Sequence, residues 1–180
     1  MKVLGTYEKA RIYIDKHYQL TSESKIHKRK LNPGPVITIS RETGVGAASI
    51  CEKLTGYFNR HAVDDYNDWT YFDRDLIEKI MEDHHLPEHF RKFLLEEKPT
   101  KVDSWFGEIL GISPSKIYLL HKTTHTIMKL AEFGNAIIVG RGSNIILSRK
   151  ANAFHIRLVA PLNFRIENAM RLYNVDHKTS

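Results

Sequence analysis

GPVITISRETGVGAASICEKL, residues 34–54, holds a strand, a turn and a helix in one short run. Val36-Ile37-Thr38-Ile39-Ser40 is short and β-branched, which suits a buried strand. Gly44 and Gly46 follow, the residues a chain uses to turn sharply. Beyond them Ile50, Cys51, Leu54, Tyr57 and Phe58 recur at the spacing of one helical face. Cys51 falls on that face and reads as a small core residue. Strand, glycine turn and helix together outline a phosphate-binding loop: backbone N–H groups converge on an anion and the helix adds its positive end. The pattern GxxxxGK[ST] fits it poorly. Its first glycine falls on Arg41, its second on Gly46, its lysine on Ala47 and its hydroxyl on Ala48. Taken alone, the stretch is compatible with an anion site lacking its own lysine and with a tight turn that binds nothing.

Two other strand ends bear on that choice. Trp69-Thr70-Tyr71-Phe72 reads as a short strand, after which Asp73 can cap a helix carrying Leu76, Ile77, Ile80 and Met81. Ala136-Ile137-Ile138-Val139 reads as another, followed by Gly140-Arg141-Gly142. Arg41, Arg74 and Arg141 therefore each sit just past a strand. In a parallel sheet the carboxyl ends share one edge, and ligands bind there. Guanidinium forks suit phosphate oxygens and stay charged at any working pH. The three arginines can supply the charge that position 47 lacks.

Ser113-Pro114 is a helix start, and the helix it opens runs to Phe133, with Ile117, Leu120, Ile127, Met128 and Ala131 available to the core. Gly134 supplies a left-handed stop. Phe154 to Ala160 is a fourth strand, and Pro161 opens a last helix through Tyr173. Strands alternating with helices predict a mostly parallel α/β sheet with right-handed crossovers. Upstream, Tyr7 to Leu20 is a candidate helix with Tyr7, Ala10, Ile14, Tyr18 and Ile12 on its apolar side. TSESKIHKRKLNPG, residues 21–34, reads as a linker. The chain divides at this level into a helix and basic linker, 1–33, and a domain, 34–180.

The bulk composition narrows the function. The chain has 180 residues, 42% of them hydrophobic, enough for one domain with a real core. No apolar run approaches the roughly 20 residues that span a bilayer, and no apolar segment marks a secretory signal. Cys51 is the single cysteine, which excludes a disulfide framework and points to a cytoplasmic setting. The formal net charge is +6. Residues 1–35 carry eight Lys/Arg (Lys2, Lys9, Arg11, Lys16, Lys25, Lys28, Arg29, Lys30) against Glu8, Asp15 and Glu23, which is +5 of it. The body is nearly neutral, which argues against a nucleic-acid footprint. A protein partner or self-association through the N-terminal helix is left as a role for the arm. His84, His85 and His89 flank Pro87, which breaks the register of a helical zinc site, so no metal is expected there.

The segments GPVITISRETGVGAASICEKL, WTYFDRDLIEKIMEDHHLP, LAEFGNAIIVGRGSNIIL and AFHIRLVAPLNFRIENAMR, in that order and spacing, resemble the cytidylate kinase-like family of P-loop proteins. The resemblance runs from about Tyr7 to the C-terminus. It implies a P-loop NTPase-like three-layer fold, a mostly parallel sheet flanked by helices, with an N-terminal helical extension. It also implies transfer of the ATP γ-phosphoryl group to a nucleoside monophosphate or similar acceptor, with Mg2+. Gly44, Gly46, Ala47, Ala48 and Ser49 would then face the ATP phosphates through their amides, and Ser49 or Thr43 could offer a hydroxyl. Asp73, Arg74 and Arg141 would hold the acceptor, while Arg41 and Arg141 would supply catalytic charge. Arg165 and Arg171 lie toward where a lid would begin. Three departures from authentic cytidylate kinases stand out: Ala47 replaces lysine, Val139 and Gly142 replace flanking aspartates, and the chain is shorter at its C-terminal end than the lid and last strand require. The alternative expectation is a degenerate module that binds nucleotide or phosphate without turnover.

Overall fold

The computed structural model describes residues 6–26, 33–62, 68–73, 75–77 and 114–173. Its elements are α1 (Thr6–Ile26), β1 (Val36–Arg41), α2 (Ala47–Arg60), β2 (Thr70–Phe72), α3 (Pro114–Phe133), β3 (Ala136–Val139), α4 (Ser143–Ile146), β4 (Ala153–Leu158) and α5 (Leu162–Tyr173). The four strands form one sheet in the order β2-β3-β1-β4, every pair parallel. Ile39 lies opposite Val139 on one side and Ile156 on the other. This register brings Arg41, Asp73 and Gly140 to the same edge. The architecture is the expected α/β one, a parallel sheet flanked by helices.

Alternation along the strands divides the core between the two faces. Val36, Phe72 and Ile138 pack with α1 and α3 through Ala10, Tyr13, Ile14, Ile127 and Leu130. Ile37, Ile39, Ile137 and Val139 pack with Val45, Ala47 and Cys51 at the start of α2. β3 is apolar on both faces, as a sheet covered on two sides favours, and β1 carries Val36, Ile37 and Ile39 but also the buried Thr38. Loss of a buried core methylene costs about 1 kcal/mol and a full Leu or Ile truncation about 2–5 kcal/mol, so positions such as Ile138 and Leu130 dominate stability.

Several elements differ from their sequence reading. α1 runs on to Ile26 through residues read as linker, since no glycine or proline interrupts Thr21–Ile26. Its buried positions are Ala10, Tyr13, Ile14 and His17, whereas Ile12 is exposed. The side chains of Tyr7 and Tyr18 lie outside the described residues. The Tyr13 hydroxyl donates to the Gly134 carbonyl, pinning the helix to the turn between α3 and β3. In α3 the buried stripe is Thr123, Thr126, Ile127, Leu130 and Ala131. Leu120 and Met128, expected to serve the core, face outward, and the side chain of Ile117 lies outside the described residues. Ile127 and Ala131 are buried as expected, while Thr123 and Thr126 occupy buried places that hydropathy assigns to solvent; Thr126 donates its hydroxyl to the Lys122 carbonyl, which makes it tolerable inside. The short helix α4 was not anticipated. Ile80, Met81, His84, His85 and His89 lie outside the described residues, as does Arg74.

Candidate functional site

β1 delivers Arg41 and Glu42 to the carboxyl edge, and the chain then turns through Thr43-Gly44-Val45-Gly46 into α2. Val45 is buried and anchors the turn from beneath. Gly44 has φ +80, and a Cβ there would stand 2.3 Å from the carbonyl oxygen of Arg165. Only glycine satisfies both the left-handed backbone and that approach. Gly46, also left-handed, is the N-cap of α2 and supplies no side-chain cap. Among the described residues no acceptor is recorded for the amides of Ala47, Ala48 and Ser49. These are the orphan donors of a helix start, and they carry the positive end of the helix dipole.

The other side of the turn is tied to α5. Asn168 Nδ2 donates to the Gly44 carbonyl at 2.8 Å. The Glu42 carboxylate accepts from the Ala160 amide at 3.2 Å and forms an ion pair with the Arg165 guanidinium, Nε standing 3.2 Å away, while Arg165 Nε–H donates to the Ala160 carbonyl at 3.1 Å. Arg165 Nη1 reaches the Thr43 carbonyl at 3.4 Å. The carbonyl side of the turn is thereby occupied by protein groups, which leaves its amide side to the cleft. Arg165 braces the turn by pairing with Glu42. Sequence reasoning missed Glu42 and Asn168. Glu42 had a signal, since it directly precedes the turn; Asn168 sits 124 residues from its partner and had none.

The cleft over the turn has a volume of about 660 Å³. Its lining brings together Arg41, Thr43, Gly44, Gly46, Ala47, Ala48, Ser49 and Asp73, and adds Tyr71 and Asp75. Ala48 and Ser49 are exposed, but Ala47 is nearly buried and points its methyl into the cluster with Val45 and Cys51. Asp73 Oδ1 accepts from the Leu76 amide at 2.9 Å, the cap expected from the sequence. Arg141 is not among the lining residues. It stands one strand over, half-buried, with φ 55 between two left-handed glycines. Arg41 reaches toward that turn: a Cβ on Gly140 would lie 2.7 Å from Arg41 Nη1.

Cys51 lies one helical turn behind the amides. Burial is the main cause that pushes its thiol up to about 11, and Arg41 nearby acts in the opposite direction. A thiol held protonated this firmly is a packing group rather than a nucleophile. No helix among the described residues is long and apolar enough to cross a membrane. No group of three or more metal-ligating side chains occurs among the described residues.

A family model described as the cytidylate kinase-like family matches residues 36–180. No curated protein matches the sequence. Among solved structures, an uncharacterised protein from Eubacterium ventriosum superposes with a TM-score of 0.53 at 20% identity, over 81% of this chain. The chain spans 65% of that protein's length. TT1252 from Thermus thermophilus superposes with a TM-score of 0.44 at 13% identity, over 82% of this chain and 77% of its own. At 20% identity the first likeness is one of fold.

Proposed function

The chain belongs to the cytidylate kinase-like family, and from that premise we propose that its cleft holds the phosphates of ATP and passes the γ-phosphoryl group to a nucleoside monophosphate or similar acceptor. The observation that carries this reading is the row of uncapped amides at Ala47–Ser49 opening onto a cleft with Arg41 at its rim. Amides held by α5 from behind need no reorganisation when a phosphate arrives, which is what makes such donors effective in phosphoryl transfer. Arg41 adds the charge that Ala47 cannot. Across the cleft, Asp73 would orient the acceptor, with Arg74 and Arg141 as further acceptor contacts. In the transfer the acceptor oxygen bonds the γ-phosphorus as the β,γ-bridging bond breaks, and ADP leaves with that electron pair. Thr43 and Ser49 hydroxyls and the Asp73 and Asp75 carboxylates line the same cleft and fit a hydrated Mg2+. Bound there, Mg2+ would neutralise phosphate charge.

One observation favours a second reading, a module that binds nucleotide without turnover. The methyl of Ala47 is packed into the core, where a phosphate-directed lysine would otherwise start. Calorimetric titration with ATP, CMP and inorganic phosphate, with and without Mg2+, followed by an ADP-release assay, separates the two. Saturable ATP binding with ADP release dependent on an acceptor supports transfer. Binding with no release supports the module. No binding of any phosphate compound overturns both.

A further inference from the structure

The chain leaves β1 through a β-turn, Glu42-Thr43-Gly44-Val45, closed by the Val45 N–H on the Glu42 carbonyl at 3.4 Å. Gly44, its third residue, has φ +80, and Thr43 before it is not left-handed. That combination is a type II turn; a type I turn has φ of about −90° at the third place. The two types share the closing bond and differ by turning over the middle peptide, here the one joining Thr43 to Gly44. Glycine accepts either sign of φ almost equally well. The turn's own residues therefore leave the choice open, and something outside the turn makes it.

An anion in the cleft is sensitive to that choice, because the carbonyl and the N–H of one trans peptide point in opposite directions. The Thr43 carbonyl is turned to α5, where Arg165 Nη1 meets it at 3.4 Å. The Gly44 N–H is turned the other way and has no acceptor among the described residues. Both residues line the cleft. Turned over, this peptide would swing its donor toward the guanidinium and show the cleft a carbonyl, which repels phosphate oxygens. The next peptide is fixed independently: Asn168 Nδ2 holds the Gly44 carbonyl at 2.8 Å, and the Val45 N–H is spent on Glu42. Only the middle peptide is left to be set, and Arg165 is the group that meets it. The guanidinium is itself held in place, with Nε donating to the Ala160 carbonyl at 3.1 Å and standing 3.2 Å from the Glu42 carboxylate.

We infer that Arg165 is a positioning residue for the phosphate: by holding the Thr43 carbonyl it keeps the turn in its type II form and the Gly44 N–H aimed into the cleft, in company with the amides of Ala47, Ala48 and Ser49. It acts through the backbone and gives no hydrogen bond to the ligand. Arg41 at the rim contributes charge; Arg165, already paired with Glu42, contributes orientation. This inference rests on the phosphate-binding reading of the cleft.

The test is a titration of the full chain with inorganic phosphate, followed by amide NMR, on the wild type and on the double variant Glu42→Gln/Arg165→Met. The double variant removes one charge of each sign, so a change in affinity does not come from net charge. In the wild type, phosphate should shift the Gly44 amide strongly and the Val45 amide little. In the double variant both forms of the turn are populated. The Gly44 resonance should broaden or split, and phosphate should bind about tenfold more weakly, the loss expected when the competent form falls to about a tenth of the population. Saturating phosphate should bring back a single Gly44 resonance. A brace that only stabilised the fold would lower the melting temperature and move neither reading. A folded double variant that binds phosphate as tightly as the wild type overturns the inference. So does a wild-type titration in which Val45 shifts and Gly44 stays in place, a result that needs no variant. No phosphate binding by the wild type overturns the reading of the cleft and this inference together, whereas undiminished binding by the double variant overturns this inference alone.

Discussion

The guanidinium of Arg41 lies across the α-carbon of Gly140, close enough that a methyl there would come within 2.7 Å of Nη1. Two strand ends therefore share one small space, and the glycine leaves it to the arginine. Gly140→Ala should displace the guanidinium and also strain a backbone at φ +75, for a stability cost of about 1–2 kcal/mol. If Arg41 holds phosphate through a charge-assisted bond, its loss in Arg41→Met weakens ATP or phosphate binding by about 10–100-fold. Gly140→Ala should approach that loss, and the double variant should be no weaker than Arg41→Met alone. Calorimetry on the three variants decides it. Full affinity in Gly140→Ala would mean that the position of Arg41 is irrelevant to binding.

The turn's two left-handed glycines are not equivalent. A Cβ at Gly44 meets the Arg165 carbonyl at 2.3 Å, which is backbone and cannot swing aside. At Gly46 it meets only the Asn168 amide nitrogen at 3.2 Å. Gly44→Ala should cost about 2–4 kcal/mol and loosen α5 from the turn, while Gly46→Ala should cost about 1–2 kcal/mol. Urea denaturation of both variants gives the order. The reverse order would mean that α5 does not bear on the turn in solution.

Much of the architecture was legible because strand and helix periods differ and the glycines sit where periods change. β1, β3 and the α3 terminus at Gly134 follow from that directly. The site was legible only in part. Gly44, Gly46, Asp73 and Arg41 announce themselves by position after a strand. The brace of Glu42, Arg165 and Asn168 arises from contacts between residues more than a hundred positions apart, and no local pattern encodes such a pairing. The same holds for Tyr13, whose hydroxyl contact with Gly134 spans 121 positions and ties α1 into the core. Thr38, read with its strand as buried, is satisfied by His155 Nδ1 at 2.7 Å, a partner 117 positions away that no local pattern encodes.

Arg141 carries a backbone that its side chain does not favour, with φ 55 and left-handed glycines on both sides. Arg141→Gly relieves roughly 1–2 kcal/mol of left-handed strain and gives back part of it through the freer unfolded chain. Arg141→Met keeps the strain. Both remove the guanidinium. The glycine variant should therefore be the more stable of the two by about 1 kcal/mol, and both should lose anion affinity to a similar degree. Thermal melts and phosphate titration read the two effects separately. Large, equal losses of stability in both variants, with anion affinity intact, would make the arginine a structural group.

His17 gives the fold a dependence on pH. It is buried on α1, its ring 4.0 Å from that of Tyr13 and 5.9 Å from that of Phe133. Nδ1–H donates to the Tyr13 carbonyl at 2.9 Å. Burial is the chief cause that lowers its pKa below the ordinary histidine value, with Lys16 pushing the same way and the Tyr13 carbonyl and Asp68 pushing back. Above about pH 6.5 the ring is neutral in both folded and unfolded chains and has no effect on the balance. As pH falls below that value the unfolded chain takes up the proton first, so the native state loses stability until the folded ring titrates as well. The melting temperature should fall between pH 7 and pH 5, and His17→Phe, which keeps the aromatic packing and cannot protonate, should flatten that part of the curve. If the variant's profile declines as steeply as the wild type's over the same range, the dependence belongs to other groups and α1 is not held by a neutral imidazole.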